Sequence, residues 1–339
     1  MSFEISVIIP VYNAARYVQE AVASALAQPE VSEVILVEDG SPDESLAACR
    51  DLAEKYDQVR LFQHPGAANR GAGPSRNLGI LKSTAPYIAF LDADDFYLPG
   101  RFSVPRQVFE SNPDCDGVYE ALGIHFEDEA GQARWQASDM GHVRLTCMNR
   151  PIPPADLFRV LMKGGSGHIH LNGLLIRRTI LDKSGLMDDS IADTLHEDVD
   201  FVMRLAAVGN LYPGRIDQPT SMRRVHAENR VSAPRPAHLV HRDKMRLRKA
   251  TYRWCRQNGT SEQRVLAFRR MLQEWVSYQP GQGAVGTRSR HAHRLIKLLR
   301  WPFTDLSVLL EATYWLETAR AFWAVIKLDI LEKRSRNEY

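Results

Sequence analysis

Three carboxylates stand together in the sequence Asp92-Ala93-Asp94-Asp95, directly after the apolar run Tyr87–Leu91. Charges this close repel one another unless a cation or hydrogen-bond donors offset them. Magnesium and manganese prefer oxygen ligands, commonly one or two protein carboxylates together with substrate phosphates and water. The cluster therefore predicts a divalent metal site that also binds phosphate. A solvated acidic turn at a strand end is the alternative interpretation.

Polar residues also follow other apolar runs of the first hundred residues. A carboxylate in Glu38-Asp39-Gly40-Ser41 can accept the imide N–H of a uracil ring or a ribose hydroxyl, although Asp and Ser also favour helix starts. A Gly-rich loop over residues 69–77 can turn the backbone amides around Gly71 and Gly73 towards a diphosphate. Arg76 either meets the same charge or forms a structural bridge with a strand-end carboxylate.

These residues need a scaffold, and the first hundred residues alternate short apolar runs with helical patterns. Such alternation is typical of βαβ units in a mainly parallel sheet, which binds ligands beyond the carboxyl ends of its strands. We expect three intervening helices, the second beginning at Ser41 with a capping box closed by Glu44. The strands, each expected to be buried on both faces, are Ile5–Val11, Glu33–Val37, Val59–Phe62 and Tyr87–Leu91.

Beyond Pro99 the regular alternation of apolar runs and helical patterns is lost. Strands are predicted near Gly117–Phe126 and His168–Ile176, and a helix over Glu197–Val208. We expect a domain of residues 1–235, with halves 1–100 and 101–235, and a basic helical extension over 236–339.

The extension is predicted to contain an exposed loop over residues 279–286. Its apolar segment, residues 306–331, is broken by charges into runs far shorter than the roughly 20 residues that span a bilayer. We expect this segment to pack or to lie on a surface.

Four motifs in order carry a family resemblance. They are Val7-Ile8-Ile9-Pro10-Val11-Tyr12-Asn13, Val37-Glu38-Asp39-Gly40-Ser41, the Asn69…Gly71…Arg76-Asn77 loop, and Phe90-Leu91-Asp92-Ala93-Asp94-Asp95…Tyr97-Leu98-Pro99. Over a hundred residues they resemble the successive motifs of family 2 glycosyltransferases. The resemblance implies a GT-A fold, which is a Rossmann-like α/β architecture, and a nucleotide-sugar donor, usually a uridine diphosphate sugar.

The resemblance also implies the roles of individual residues. It places Asp92 and Asp94 in a DXD motif, with Asp94 as the expected ligand of Mn²⁺ or Mg²⁺ and Asp92 as a partner on the donor side. Glu38 departs from the family, where Asp is more frequent, and Asp39 remains to read the base. The residues expected to bind the donor are Pro10, Val11, Tyr12, Glu38, Asp39, Asn69, Gly71, Arg76, Asp92 and Asp94.

A second acidic pair, Glu197-Asp198, is similar to the family's acidic pair at the start of a helix, whose Asp is the usual base. An inverting transfer needs one carboxylate to take the acceptor hydroxyl's proton as its oxygen attacks the anomeric carbon. A metal on the departing diphosphate makes a second carboxylic acid unnecessary, unlike in glycosidases. We predict Asp198 as the catalytic base and Glu197 as the catalytic neighbour that either binds the acceptor or tunes Asp198. The helix dipole favours acids at this position in any case.

The segment Arg223–Ser232 resembles the one that follows the base in this family. His226 is predicted to reach the metal or the diphosphate, and Arg223 or Arg224 to neutralise phosphate charge. A lone His in a basic loop can equally be structural.

Two further histidines, His168 and His170, are expected to share one face of a strand. Without a third ligand they predict packing or acceptor contacts and not a zinc site. Asn172 and Gly173 are further candidates for the acceptor site.

Composition limits the class of protein. With 44% hydrophobic and 25% charged residues, the 339 residues are typical of a soluble globular protein. The N-terminus shows no signal peptide, which predicts a cytoplasmic protein. The scattered cysteines predict reduced thiols and no zinc or redox site. They are Cys49, Cys115, Cys147 and Cys255.

Charge is distributed unevenly along the chain. Residues 1–239 hold 23 Lys and Arg against 32 Asp and Glu, whereas residues 240–339 hold 20 against 9. The basic tail is predicted to contact the anionic inner face of the cell membrane or to pack in a homo-oligomer, with a solvated basic face as the alternative. Nucleic acid is not an expected partner, because no nucleic-acid module surrounds the tail's aromatic residues.

Taken together, these features predict a metal-dependent inverting hexosyltransferase. It would move a sugar from a nucleotide diphosphate donor to a glycan or lipid-linked acceptor, as in surface polysaccharide or glycoconjugate assembly. The alternative is a catalytically inactive nucleotide-sugar-binding or scaffold protein on the same fold. The intact metal motif and candidate base favour the enzyme.

Overall fold

The computed structural model describes residues 3–137, 141–194, 196–226, 236–277, 315, 318–320 and 322–323. The chain divides into two compact units, residues 1–235 and 236–339. The described strands are β1 (Ile5–Val11), β2 (Val31–Glu38), β3 (Val59–Gln63), β4 (Tyr87–Phe90), β5 (Phe96–Tyr97), β6 (Gly117–Tyr119), β7 (Ala121–Phe126), β8 (Leu174–Arg177), β9 (Leu211–Pro213) and β10 (Pro219–Val225). The described helices are α1 (Val18–Leu26), α2 (Ser45–Lys55), α3 (Ala72–Lys82), α4 (Ser103–Ser111), α5 (Glu129–Ala137), α6 (Pro154–Lys163), α7 (Leu181–Ser184), α8 (Glu197–Val208), α9 (Ala237–Asn258) and α10 (Ser261–Ser277).

A mixed, mainly parallel sheet forms the centre of the first unit. Its strand order is β3-β2-β1-β4-β8-β6-β9, and β1 to β4 are parallel to one another. β8 is antiparallel to both of its neighbours, β4 and β6. A smaller sheet has the order β5-β10-β7. The predicted α/β class with a mainly parallel sheet is confirmed.

Strands β1 and β4 are buried along their whole length, as their predominantly apolar sequences predict. Helix α3 packs closely on β1, where a Cβ on Gly79 would come within 2.4 Å of Ile8 Cγ2. β3 does not share this burial, because it is the edge strand and only Val59 is buried. The expectation that β3 is buried on both faces is therefore wrong.

The second helix begins later than its sequence suggests. α2 starts at Ser45, and Asp43 accepts hydrogen bonds from the Ser45 amide and hydroxyl. The predicted start at Ser41 is wrong, because the Glu38 carboxylate accepts the Ser41 amide and holds Ser41 in the turn after β2.

The predicted strand Gly117–Phe126 is two strands that belong to different sheets. β6 ends at Tyr119 and β7 begins at Ala121, with the buried Glu120 between them. The carboxylate of Glu120 pairs with Arg101 at 2.6 Å. The chain therefore crosses from one sheet to the other at Glu120, where this buried ion pair lies.

The predicted strand His168–Ile176 is shorter than expected. Only Leu174–Arg177 is a strand, and a single turn of 3₁₀ helix at Leu171–Gly173 precedes it. His168 and His170 therefore do not alternate along a strand. The amide of Asn172 donates to Nδ1 of His170 across 3.2 Å, which closes the turn and ends the extended chain early.

The described part of the second unit contains two helices, α9 and α10, and isolated helical residues. Tyr252 and Phe268 pack between α9 and α10 with ring centroids 5.2 Å apart. None of the helices in the described ranges combines the length and apolarity needed to cross a bilayer. The loop predicted at 279–286 and most of the segment 306–331 lie outside the described residues.

All four cysteines are buried free thiols, in agreement with the expected reduced state. Burial raises the pKa of Cys49 to about 12. Burial likewise raises the pKa of Cys115 and of Cys147 to about 12, so these three thiols are protonated near neutral pH.

Candidate active site

The carboxyl ends of β1, β2 and β4 meet at one edge of the large sheet. Val11 of β1 pairs with Glu38 of β2, and the Asp39 amide donates to the Val11 carbonyl at 2.9 Å. On the other side of β1, the Leu91 amide donates to the Ile8 carbonyl at 3.0 Å, so Asp92 follows at the same edge. Pro10 and Val11 are buried, whereas Tyr12 is 50% exposed.

Asp39 holds the Gly-rich loop. Its carboxylate accepts the backbone amides of Arg70 and Gly71, each at 2.8 Å, and the residue is almost fully buried. Gly71 caps α3 with a φ of 93°, a left-handed conformation that glycine adopts without strain. Asp39 therefore shapes the entry to α3. Asn69 is exposed, and no hydrogen bond or ion pair within the described residues joins it to the other predicted site residues.

Glu38 is also held by hydrogen bonds. Its carboxylate accepts the Ser41 amide at 2.5 Å and Gln63 Nε2 at 2.6 Å. Burial by itself raises the pKa of Glu38, but the hydrogen bonds from Ser41 and Gln63 outweigh burial and hold that pKa below its ordinary value. The side chain stays ionised and fixes the turn after β2.

Arg76 joins the two predicted acidic motifs. Its Nη2 atom lies 2.6 Å from Asp92 Oδ1, and its Nη1 atom lies 3.9 Å from Glu197 Oε1. Arg76 and Glu197 are both buried. Burial raises the pKa of Asp92, but the charges of Arg76 and His170 and the bond from Arg76 together lower it below its ordinary value. Of the two interpretations of Arg76, the structure shows the bridge to a strand-end carboxylate.

We refer to residues Asp92–Asp95 as the acidic turn. The Asp95 amide donates to the Asp92 carbonyl at 3.0 Å, which closes the turn. Asp92 and Asp94 have side chains that are 28% and 32% exposed, whereas Asp95 is buried. Burial, with the charges of Asp94 and Asp92, raises the pKa of Asp95 well above its ordinary value. The acidic turn therefore presents two carboxylates outward and one inward.

Arg224 holds the acidic turn from β10. Its amide donates to Asp95 Oδ1 at 2.8 Å, its Nε atom donates to the Asp94 carbonyl at 3.0 Å, and its Nη2 atom pairs with Glu20. Arg223, the next residue on the strand, contacts the Trp135 ring at 5.6 Å and forms no ion pair within the described residues. Successive side chains of a strand point to opposite faces of the sheet. The sequence could therefore have indicated that Arg223 and Arg224 have different surroundings.

His226 lies beside the predicted metal ligand. Its Nε2 atom is 3.2 Å from Asp94 Oδ2, and its ring stacks against Tyr17 with centroids 4.9 Å apart. The described residues contain no cluster of three or more His, Cys, Asp or Glu side chains able to hold a metal. One exposed carboxylate and one imidazole nevertheless fit a cation whose other ligands are diphosphate oxygens and water.

Asp198 stands at the start of α8 and is partly exposed. The charge of Asp198 acts on the pKa values of Arg76 and of both histidines, His168 and His170, so these side chains form one cluster. Burial lowers the pKa of His170 to about 4, against the opposing charge of Asp92, so this ring is neutral near pH 7. The Asp198 carboxylate accepts the Val199 amide at 2.7 Å, which fixes its position in the first turn of α8.

Comparisons with known proteins agree with this geometry. The ExoU succinoglycan biosynthesis protein of Rhizobium meliloti (strain 1021) is 41% identical over 220 residues, which cover 62% of this chain and 58% of ExoU. An uncharacterized glycosyltransferase of Nostoc sp. (strain PCC 7120) is 35% identical over 53% of this chain and 52% of its own length. The chain thus matches little more than half of the length of these two curated relatives.

Among solved structures, Staphylococcus aureus TarS 1–349 in complex with UDP-GlcNAc has a TM-score of 0.57 at 16% identity, covering 87% of this chain and 79% of that one. This likeness confirms the GT-A fold. The family described as glycosyl transferase family 2 matches residues 6–183. The match covers more than half of the sequence and confirms the family expected from the four motifs. The chain is a member of family 2 of the glycosyltransferases, a family of transferase enzymes.

Proposed function

We propose that this protein is a metal-dependent, inverting glycosyltransferase that transfers a hexosyl group from a nucleotide diphosphate donor, a UDP-sugar, to a glycan or lipid-linked acceptor. The observation that carries the proposal is the position of Arg76 between Asp92 of the acidic turn and Glu197 of α8. This guanidinium links the donor side of the site to the helix that carries Asp198. The departing diphosphate of the donor and the acceptor hydroxyl would therefore lie in the same site.

The donor would lie along the edge formed by β1, β2 and the Gly-rich loop. The exposed Tyr12 ring is available to a base, and Asp39 holds the loop amides in a fixed position. Asp94 and His226 would hold Mn²⁺ or Mg²⁺, with Asp92 on the donor side. The bound cation supplies Lewis acidity that offsets charge on the departing diphosphate.

The acceptor would bind on the side of α8. Asp198 would take the proton from the acceptor hydroxyl as that oxygen attacks the anomeric carbon from the face opposite the diphosphate. Glu197, paired with Arg76, orients the start of α8. Arg223 would meet negative charge, because Arg224 is already engaged with the acidic turn and Glu20.

The names of related proteins and the ligands in their solved structures support this proposal. ExoU is named for succinoglycan biosynthesis, and TarS has been solved with UDP-GlcNAc. A mannosyltransferase of Pyrobaculum calidifontis, with a TM-score of 0.50, 15% identity and coverage of 94% of this chain and 84% of its own, was solved with GDP-Man and Mn²⁺. We propose assembly of a surface polysaccharide or glycoconjugate as the setting.

A thermal-shift screen of nucleotide sugars, each with and without Mn²⁺, tests the donor and metal together. A true donor raises the unfolding temperature by mass action, and only when the metal is present. Donors that bind are then incubated with candidate acceptors, and the anomeric configuration of the product is read by NMR. Retention of configuration would refute inversion, and binding without turnover across varied acceptors would favour a catalytically inactive protein.

We also propose that the second unit binds anionic membrane lipids. Residues 237–277, which form α9 and α10, hold 10 Lys and Arg against 3 Asp and Glu. Trp315, Phe322 and Trp323 are exposed aromatic residues further along the same unit. Basic helices accompanied by aromatic side chains suit the headgroup region of a membrane. Packing of the same unit in a homo-oligomer is the alternative.

A further inference from the structure

The acidic turn is held in place by a residue that lies far from it in the sequence. Asn172 is completely buried in the 3₁₀ turn before β8. Its Oδ1 atom accepts the Asp92 amide at 3.1 Å, and its Nδ2 atom donates to Asp95 Oδ2 at 2.6 Å. One amide side chain therefore binds both ends of the turn, with an acceptor for one end and a donor for the other.

Asn172 is itself anchored by its main chain. The Asn172 carbonyl accepts Arg101 Nε and Nη2, at 3.3 and 3.2 Å, and the Ser221 hydroxyl at 3.3 Å. Arg101 is fully buried and pairs with Glu120 at 2.6 Å. Breaking a buried ion pair leaves an uncompensated charge and is strongly destabilising. Asn172 is thus fixed by the most buried ion pair among the described residues.

Asp95 faces this anchor and not the open side of the site. Its second oxygen, Oδ1, accepts the Arg224 amide at 2.8 Å, so each carboxylate oxygen has a donor from a different segment. The residue is 3% exposed, while the side chain of Asp94 is 32% exposed. The buried and fully bonded Asp95 is therefore suited to anchor the acidic turn, whereas the partly exposed Asp94 is suited to bind a metal ion.

We infer that Asn172 is the positioning residue of the acidic turn, holding Asp95 as an anchor so that Asp92 and Asp94 face the metal and the diphosphate. The metal and donor in this inference rest on the proposed function. Groups that orient metal ligands through hydrogen bonds matter to metal sites, and their substitution typically costs about 10- to 100-fold in metal affinity or activity.

The reciprocal geometry allows a swap of the two side chains. Asn172→Asp keeps an acceptor for the Asp92 amide but puts an oxygen against Asp95 Oδ2, so two carboxylates meet. The double variant Asn172→Asp/Asp95→Asn restores one donor and one acceptor at this contact, and the side chain at position 95 can still accept the Arg224 amide. If Asp95 acts as an anchor, the double variant should restore the wild-type behaviour. If Asp95 were a metal ligand, the double variant would not restore it, because the carboxylate is missing from position 95.

The experiment uses the full chain and two measurements. Deuterium uptake of the peptide covering residues 90–97, followed by mass spectrometry, reports how firmly the acidic turn is held. The Mn²⁺ concentration that half-saturates UDP binding, measured by calorimetry, reports metal affinity. Ser6→Ala is the matched control, because Ser6 is fully buried and makes two hydrogen bonds at the opposite end of β1.

We expect Asn172→Asp to raise uptake in the 90–97 peptide and to raise the half-saturating Mn²⁺ concentration by about 10- to 100-fold. The double variant should reverse most of both changes, and Ser6→Ala should cause neither. Unchanged uptake in Asn172→Asp, or a double variant no better than the single one, would overturn the inference. If the wild type binds no UDP with Mn²⁺, the proposed donor and metal fail, while deuterium uptake still decides the positioning role.

Discussion

Arg76 donates a 2.6 Å hydrogen bond to Asp92 while its other terminal nitrogen lies 3.9 Å from Glu197. The guanidinium is buried, with a side-chain exposure of 8%. It therefore neutralises two carboxylates that come from sequence segments more than a hundred residues apart. The acidic turn and the start of α8 therefore share one buried positive charge.

Replacing Arg76 by Met should destabilise the protein strongly. The substitution removes the ion-pair partner of Asp92, and losing one partner of a buried ion pair costs roughly 3 to 5 kcal/mol. Chemical denaturation, with the midpoint and slope compared between variant and wild type, measures this directly. We also expect loss of donor binding, because Asp92 loses its only ion pair among the described residues.

Arg60→Met is the matched control for that substitution. Arg60 pairs with Glu33 at 3.0 Å, but its side chain is 42% exposed. Partly exposed pairs contribute about 0 to 1 kcal/mol, so a small change is expected. Equal losses of stability from the two variants would show that burial of the Arg76 pairs is energetically unimportant.

The pair Asp94 and His226 should control the metal requirement. Asp94→Ala should abolish the effect of Mn²⁺ on donor binding, and His226→Ala should raise the required Mn²⁺ concentration by about 10- to 100-fold. Calorimetric titrations at several Mn²⁺ concentrations measure both effects. His125→Ala, an exposed histidine on β7, should leave the titration unchanged. A wild-type response in Asp94→Ala would remove Asp94 from the metal site.

In the first hundred residues, local pattern predicts strands β1 to β4 and the three helices between them, although not the start of α2, the exposure of β3 or the short strand β5. β1 was predicted with its observed ends, because an unbroken Val and Ile run between polar segments indicates a buried parallel strand. The limits of α8 follow equally from its acidic first turn and helical periodicity. The order of the four motifs identified the family, which the match over residues 6–183 confirms.

Long-range hydrogen bonds account for what the sequence could not predict. The Glu38 carboxylate accepts the Ser41 amide, so α2 begins later than predicted. A buried ion pair between Glu120 and Arg101 lies where the chain passes from β6 to β7. The sequence predicts Asn172 as an acceptor contact, but its side chain is buried against Asp92 and Asp95, which are 80 and 77 residues away in the sequence. No periodicity or motif spacing encodes such contacts in a single sequence.

Glu33 should make stability depend on pH at the end of the sheet away from the site. Burial raises its pKa, but hydrogen bonds from Ser6, Thr84 and Arg60 outweigh burial and lower it. Because its pKa is lower in the folded state, ionised Glu33 stabilises the fold at pH values above the ordinary glutamate pKa of about 4.3. This contribution is lost as the pH falls through the folded-state pKa. Glu33→Gln should therefore be less stable than wild type at pH 7. The difference in the free energy of unfolding between the two proteins should shrink as the pH falls below about 4.3.

The measurement is the free energy of unfolding of wild type and Glu33→Gln between neutral and acidic pH. Glu54→Gln, at an exposed position on α2, provides the control and should follow the wild-type profile. A constant difference between Glu33→Gln and wild type across the whole range would show that ionisation of Glu33 does not contribute.

Membrane association should depend on exposed charge in α9. Each basic side chain near an anionic surface contributes about 1 kcal/mol, so three charge reversals should release the protein from anionic vesicles but not change its behaviour with neutral ones. The reversals are Lys244→Glu, Lys249→Glu and Arg253→Glu. The control reversals in the first unit, equal in charge, are Lys55→Glu, Lys82→Glu and Lys163→Glu. Equal flotation of both triple variants with phosphatidylserine vesicles would contradict the membrane proposal.

The role of Asp198 as the base is tested most directly by the variant Asp198→Asn, in which donor binding and sugar transfer are measured separately. This substitution keeps the shape of the side chain and an oxygen for the Val199 amide but removes the base. Donor affinity in the presence of Mn²⁺ should stay at the wild-type value, while the rate of sugar transfer should fall by about 10²- to 10⁴-fold. Asp193→Asn, at an exposed position before α8, should transfer at the wild-type rate. Transfer by Asp198→Asn at the wild-type rate would contradict the assignment of Asp198 as the base.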